Sequence, residues 1–245
     1  MLIFRLPDSE VFHTLENSQE KQVSFVSFDT KTVLDFKGSI KEISREDIEN
    51  QIISPKNKSS LIEIGKETCD SYAIKINQAK EFIEKNDLKK LVLSRRKLLM
   101  YLDIDSQKKL SLTKSFLKFC ENYPSAFCYL FEKNNEIWMG GFSEILGKFD
   151  KKNNIFETMS VAGTLALDEA WTDKEVEEQK AVTDYIQSIL RKFSSNLKVS
   201  STKDLISGNI KHLKTDFSAE ISPESLDKII TELHPTPAVC GFPKE

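Results

Sequence analysis

At 245 residues, with 39% hydrophobic and 30% charged positions and a formal net charge of −3, the chain is long enough to bury a sizeable core and carries no field that would draw in a polyanion. Its lysines and arginines are mixed with acids rather than interleaved with aromatics, which argues against nucleic acid as a partner. No apolar run has the length of a membrane span, MLIFRLPDSE lacks the basic region and long apolar run of a signal peptide, and Cys69, Cys120, Cys128 and Cys240 form no CxxC pair, so a cytoplasmic address with reduced thiols is expected.

In chain order, residues 1 to about 62 read as short strands and turns, with VSFVSFD (Val23 to Asp29) and TVLDFKGSI (Thr32 to Ile40) rich in β-branched and aromatic residues. Ile48 to Leu61, containing SPKNKSS, reads as loop. Tyr72, Ile76, Ala79 and Ile83 recur at helical spacing behind Asp70, which can cap the start, and Asn86-Asp87 ends that helix. KKLVLSRRKLLMYL (Lys89 to Leu102) is apolar enough at its centre to lie inside a sheet. Ser111 can cap a helix carrying Leu112, Phe116 and Phe119 on one face, with Pro124 as its stop. AFCYLFE, EIWMGGF and EILGKFD, the last paired to NIFETMSVAG across Lys151 to Asn153, read as a β-meander. A long helix follows over Lys174 to Phe193, striped by Val182, Ile186, Ile189, Leu190 and Phe193. After further strand and loop, Ser222-Pro223 opens a last helix with Leu226, Ile229, Ile230 and Leu233 facing inward. The order of elements is α+β: antiparallel strands with helices packed on one side. The expected organisation is one domain over 1–245, with a strand region over 1–62 and a core over 63–245.

The closing LHPTPAVCGFPKE carries Pro235, Pro237 and Pro243; proline fixes φ and pushes the residue before it out of the α region, so this stretch must be extended or turning, as in a rigid loop beside a site. Lys90 begins a strand beside Val92 and Ser94, where its amine is either desolvated and available as a base or snorkels to water. Glu144 follows Gly140-Gly141, where a bulge or a closely approaching ligand is expected, though a solvent-facing turn acid fits as well. Glu178 lies four residues before Val182 and so extends a buried stripe; an acid there needs a cation, a metal or a proton, unless it only serves the helix's first turn. Gly163-Thr164 ends SVAGTLA with small residues that leave amides open to an anion. His212 and His234 each admit a purely structural role.

Taken in order, KLVLSRR, GGFSEIL, SVAGTLA, KEVEEQKAV, KHLKTDF and LHPTPAVCGFP resemble the signature segments of the chorismate-utilising enzymes. The resemblance implies a chorismate-binding-enzyme fold of two packed antiparallel sheets with flanking helices. Lysine at position 90 is similar to the isochorismate and salicylate synthases, which activate water, whereas anthranilate synthases carry glutamine there. Ala162 departs from the nucleophilic lysine of the aminodeoxychorismate synthases. The implied activity is therefore isochorismate synthase, with salicylate synthase second. The implied roles are Lys90 as general base, Glu144 as general acid, Glu178 as a Mg²⁺ ligand, and Gly163, Thr164, His212, Thr215 and His234 on the substrate, chorismate. The expected state is a monomer. The family pattern continues past GFP with a helix, further strands, a substrate-binding arginine and a second magnesium carboxylate. The resemblance thus implies a fold incomplete at its C-terminus, and a chain that only binds chorismate weakly is the non-catalytic alternative.

Overall fold

The computed structural model describes residues 1–51, 53, 68–95 and 111–243, with the side chains of 20–22 excepted. Its elements are, in order, β1 (Leu2–Arg5), β2 (Phe12–Val26), β3 (Val33–Ile43), α1 (Arg45–Asn50), α2 (Cys69–Lys85), β4 (Lys90–Leu91), α3 (Leu112–Asn122), β5 (Phe127–Lys133) and β6 (Glu136–Phe142). There follow β7 (Lys148–Asp150), β8 (Ile155–Ala166), α4 (Asp173–Leu190), β9 (Leu197–Val199), β10 (Lys203–Ser207), β11 (Ile210–Glu220), α5 (Leu226–Leu233) and β12 (Gly241–Phe242). They form two units: Met1–Glu63 with Met100–Ser143, and Ile64–Leu99 with Glu144–Glu245.

The first unit is built on the antiparallel sheet β3-β2-β1-β5-β6. Its central strand β1 is buried along its whole length, and the two-residue period sends its side chains to two different cores. Ile3 packs with Phe116, Leu117 and Cys120 of α3, while Leu2 and Phe4 join Phe36 and Phe131. On that second face the Phe25 ring packs at a tilt against Tyr129 and Phe131, with ring centroids 4.8 and 4.6 Å apart. β5 and β6 meet in a tight turn with Asn134 and Asn135 both at positive φ, the turn that matches strand twist.

The second unit is built on the antiparallel sheet β10-β11-β8-β7, with β9 also paired to β11. α4 covers one face of it: Val182, Ile186, Ile189 and Leu190 pack with Phe156, Phe217 and Ala219 of the sheet and with Ile229 and Leu233 of α5. Among the described residues, no helix is long and apolar enough to cross a membrane.

Several expectations change. β2 begins at Phe12 rather than near Val23, because its polar first half lacks the apolar alternation that marks a strand and is held instead by pairing with β3. α1 falls where Arg45 to Asn50 offered too few residues for a periodic signal, and Ser44 caps it by accepting from the Asp47 N–H. α2 is capped by Thr68 rather than Asp70, with the Thr68 hydroxyl accepting from the Ser71 N–H at 3.1 Å. The meander is divided, since among the described residues β6 ends the first sheet and β7 pairs only with β8 in the second. Ile230 is exposed on α5, whose inward positions are Ile229 and Leu233. Among the described residues β4 is no central strand: Lys90 and Leu91 pair only with β12, in a two-stranded ladder, and Leu91 and Val92 are exposed. The rest of that expected strand, and most of the loop expected over 48–61, lie outside the described residues.

Candidate active site

Lys90 is held in place by the proline-rich tail. Phe242 lies opposite Lys90 and Gly241 opposite Leu91, and the Lys89 and Val92 N–H groups donate to the Phe242 and Cys240 carbonyls at 2.9 and 3.3 Å. A Cβ on Gly241, whose φ is +131°, would sit 2.6 Å from the Lys90 carbonyl oxygen, so this approach requires glycine. The expected rigid loop is therefore a backbone support for the lysine.

From β4, Lys90 reaches Glu178 of α4, with Nζ 2.8 Å from Oε1 and side-chain exposures of 14% and 30%. The lysine is partnered rather than snorkelling, and the acid on the helix flank finds the cation that its position requires. Glu178 is nevertheless on the shoulder of the stripe. The buried line of α4 runs Glu175, Gln179, Val182, Ile186. Counting back from Val182 by three and then four reaches both polar members, a signal the sequence reading missed by stepping back four to Glu178.

Both buried polar residues have structural work. The Thr172 N–H and hydroxyl donate to the Glu175 carboxylate in a capping arrangement, the N–H at 3.2 Å, and Lys174 Nζ lies 3.3 Å from its other oxygen. Those contacts hold the Glu175 carboxyl below its usual range, led by the Thr172 hydroxyl. Gln179 Nε2 donates to the Ser160 carbonyl and hydroxyl at 3.2 and 2.9 Å and lies 3.3 Å from the Thr215 hydroxyl. Thr215 is 1% exposed and also bonds the Thr202 hydroxyl at 2.9 Å, so its side chain is spent inside this network.

Gly163, Thr164 and His212 meet at a bulge. Between β8 and β11 the register slips: His212 faces Thr164 and Leu213 faces Ala162, leaving Gly163, at φ +73°, as the extra residue. His212 Nδ1 lies 3.0 Å from the Gly163 carbonyl and 3.1 Å from the Thr164 hydroxyl. A carbonyl only accepts, so this network assigns a proton to Nδ1. A Cβ at Gly163 would stand 3.1 Å from Glu175 Cβ, so the first turn of α4 rests on the bulge. Gly163→Ala is expected to cost about 1–2 kcal/mol for the left-handed backbone alone, read as a lower urea midpoint at unchanged m; an unchanged midpoint would show that the bulge can refold without glycine.

Glu144 lies in the loop between β6 and β7. Though the residue is exposed, the protein packed about its carboxyl raises its pKa, while the nearby positive charge of His212 and then of Lys90 pulls the other way. Lys90, Glu144 and His212 are therefore electrostatic neighbours, and Glu178, Gly163 and Thr164 join them by direct contact. His234 ends α5, its N–H donating to the Ile230 carbonyl at 2.9 Å. A separate groove of 460 Å³ along β8, β9 and β11 includes neither Lys90 nor Glu178 in its lining.

Among the described residues, no three of His, Cys, Asp and Glu come together as a metal-holding set. Glu178 offers one hard carboxylate of the kind magnesium accepts as an anchor beside substrate and water, and its Oε1 is taken by Lys90. Glu175, one turn earlier, is engaged by the capping contacts.

The comparisons with known proteins bear on the family and the fold. A stretch of 77 residues is 34% identical to the vibriobactin-specific isochorismate synthase of Vibrio cholerae, and one of 76 residues is 37% identical to isochorismate synthase EntC of Escherichia coli. Each stretch is 30% of this chain, and it spans only 20% and 19% of those relatives. Among solved structures, DhbC of Bacillus anthracis superposes with a TM-score of 0.70 at 19% identity, covering 99% of this chain and 74% of that one. MenF of Escherichia coli, a menaquinone-specific isochorismate synthase, gives 0.67 at 14% identity, covering 99% and 69%. At these identities the structural likeness speaks for the fold, the α+β arrangement of antiparallel sheets and helices expected above. Since the family model for the chorismate binding enzymes matches residues 4–245, nearly the whole sequence, the chain belongs to that family.

Proposed function

We propose that the site converts chorismate to isochorismate. The observation that carries this reading is a lysine and an acid of raised pKa held as neighbours: Lys90, fixed by the tail, and Glu144, whose surroundings favour the protonated form. Once Glu178 has let it go and it has given up its own proton to solvent, the Lys90 amine takes a proton from the water that attacks C2 of the ring, and the protonated Glu144 gives one to the departing C4 hydroxyl, which leaves as water. One water enters and one leaves, so the reaction is an isomerisation. Gly163 and Thr164 receive the substrate at the bulge, with His212 presenting Nε2; Thr215 supports them from below through Gln179, and His234 belongs to the same substrate-binding set at the end of α5. Ala162 supplies no amine where a nucleophilic lysine would favour amino transfer. Glu178 would hold a magnesium ion, which when bound neutralises the substrate's ring carboxylate and orients the ring.

The test is the full chain with chorismate and Mg²⁺, the products being separated by chromatography. Isochorismate is expected. Salicylate as the main product would select the salicylate synthase reading, and chorismate recovered unchanged would sink the enzymatic one. The pathway such a product feeds, menaquinone or siderophore, is named by the relatives rather than by this site.

A further inference from the structure

An unused cation lies in the first unit, among residues given no role above. Arg5 ends β1 and is 6% exposed. Nη2 alone makes its guanidinium contacts, donating to the Tyr123, Pro124 and Ala126 carbonyls at 2.7, 2.8 and 3.0 Å and lying 3.6 Å from the Cys128 sulfur. Nε is buried without a partner, and Nη1 has no acceptor among the described residues. Carbonyl oxygens bring only partial charge, and no carboxylate among the described residues pairs with Arg5. The fold therefore holds a buried cation without supplying its counter-anion.

Arg5 is the buried end of an 820 Å³ cleft. The cleft's apolar lining follows from the ladder: Arg5 lies opposite Phe12 of β2, Phe12 lies opposite Ile43 of β3, and both pack on the core that holds Leu117 of α3. The rim is exposed and acidic. Asp8 donates its N–H at 3.0 Å to the same Pro124 carbonyl that Arg5 holds, Glu10 precedes β2, and Glu42 lies near the end of β3. Glu121 also lines the cleft, but Arg45 pairs with it at 2.5 Å. Asp8, Glu10 and Glu42 have no cationic partner among the described residues.

This combination narrows the ligand. An inorganic anion bound at Arg5 would sit among unpaired carboxylates, and a metal ion bound by those carboxylates would share the cleft with an unneutralised arginine. A ligand that suits both carries one carboxylate and an excess of positive charge, with an aliphatic stem for the Phe12, Ile43 and Leu117 surface. A free basic amino acid has that composition: one carboxylate, an α-ammonium and a cationic side chain. We infer that the cleft binds free lysine or arginine, its α-carboxylate accepting from Arg5 Nη1 and its two cationic groups meeting the Asp8, Glu10 and Glu42 carboxylates. Binding of this kind joins the β1–β2 turn to the end of β3, and it uses none of the residues assigned to chorismate.

The test is calorimetry on the full chain at low salt, comparing L-lysine and L-arginine with three probes that each lack one feature. Lysinamide lacks the carboxylate, norleucine the side-chain charge, and Gly-Gly-Lys the α-ammonium beside the carboxylate. Lysine or arginine should bind, and each probe should bind more weakly by on the order of tenfold or more, the worth of one charge-assisted hydrogen bond. Added NaCl should weaken binding, because the acids are exposed. The combined variant Asp8→Asn, Glu10→Gln and Glu42→Gln, all at exposed positions, should weaken lysine binding by the same order. Arg5→Gln should erase the advantage of lysine over lysinamide; should that variant fail to fold, the lysinamide comparison on the unaltered chain decides the carboxylate's role. Three results would each overturn the proposal: no heat with either amino acid, lysinamide bound as tightly as lysine, or the rim variant binding lysine undiminished. Gly-Gly-Lys bound as tightly as lysine would also overturn it, by making the ligand a polypeptide C-terminus instead of a free amino acid.

Discussion

Glu144→Gln is expected to lower turnover of chorismate by about 10²- to 10⁴-fold, the range a positioned general acid contributes, with a much smaller change in KM because the amide keeps the shape and loses only the proton. In the unaltered chain kcat should fall as pH rises through the raised Glu144 pKa, and in the glutamine variant that descending limb should vanish. Stability should fall over the same rise in pH. In the unfolded chain a glutamate ionises near about 4.3, and in the fold burial defers ionisation to higher pH. Below the unfolded value both states are protonated and the neutral carboxyl is fully compatible with the fold. As pH climbs through the folded value, the unfolded chain has already released the proton and that contribution is lost. Glutamine escapes this loss, so thermal melts at pH 5 and pH 8 should show a smaller pH dependence in the variant. His212 and Lys90 oppose the rise and solvent reaches the residue, so the difference is modest. A glutamine variant that keeps its rate and its alkaline limb would remove Glu144 from the acid's role.

The elements most legible in the sequence were those with a sustained period. α4, β5 and β6 follow from apolar spacing and turn residues, and the core of α4 is the stripe that the spacing predicts. Less legible were elements stabilised by a neighbour rather than by their own pattern. The polar half of β2 is a strand because β3 lies beside it, and β4 is short because its partner is the tail. The same holds at the candidate site. The Lys90–Glu178 pair, the capping of Glu175 and the burial of Thr215 depend on which strands adjoin, which no local window contains. The Gly163 bulge was half visible: the glycine was noted for open amides, but its positive φ and its seat on Glu175 require the β8–β11 register. The prolines near the C-terminus gave the reverse case, a local rule that correctly implied an extended or turning segment without saying what it braces.

The Lys90–Glu178 pair leads to an outcome in which catalysis and metal binding part company, and this rests on the proposed roles of both residues. Lys90→Ala should reduce turnover by about 10²- to 10⁴-fold, as loss of a general base does. Yet the ammonium that it removes lies 2.8 Å from a carboxylate oxygen of Glu178, the residue that would hold a magnesium ion. Two cations compete for one carboxylate, and even at an effective dielectric near that of a protein surface their shared claim is worth several kcal/mol before solvation is charged against it. Removing the ammonium should tighten Mg²⁺ binding by about 3- to 10-fold, a reduced share of that energy because both side chains keep some contact with water. Lys90→Met, which keeps much of the apolar stem, should behave alike and separates charge from packing. Glu178→Gln should weaken Mg²⁺ binding in the same titration, done calorimetrically without substrate so that the readout does not depend on activity. If Mg²⁺ affinity is indifferent to both substitutions, Glu178 is a structural partner of Lys90 and no metal anchor. If Lys90→Ala weakens it, the lysine supports the metal site instead of competing with it. Only the opposed signs, less turnover and more metal, fit a base held by the residue that must let go of it for the ion to bind.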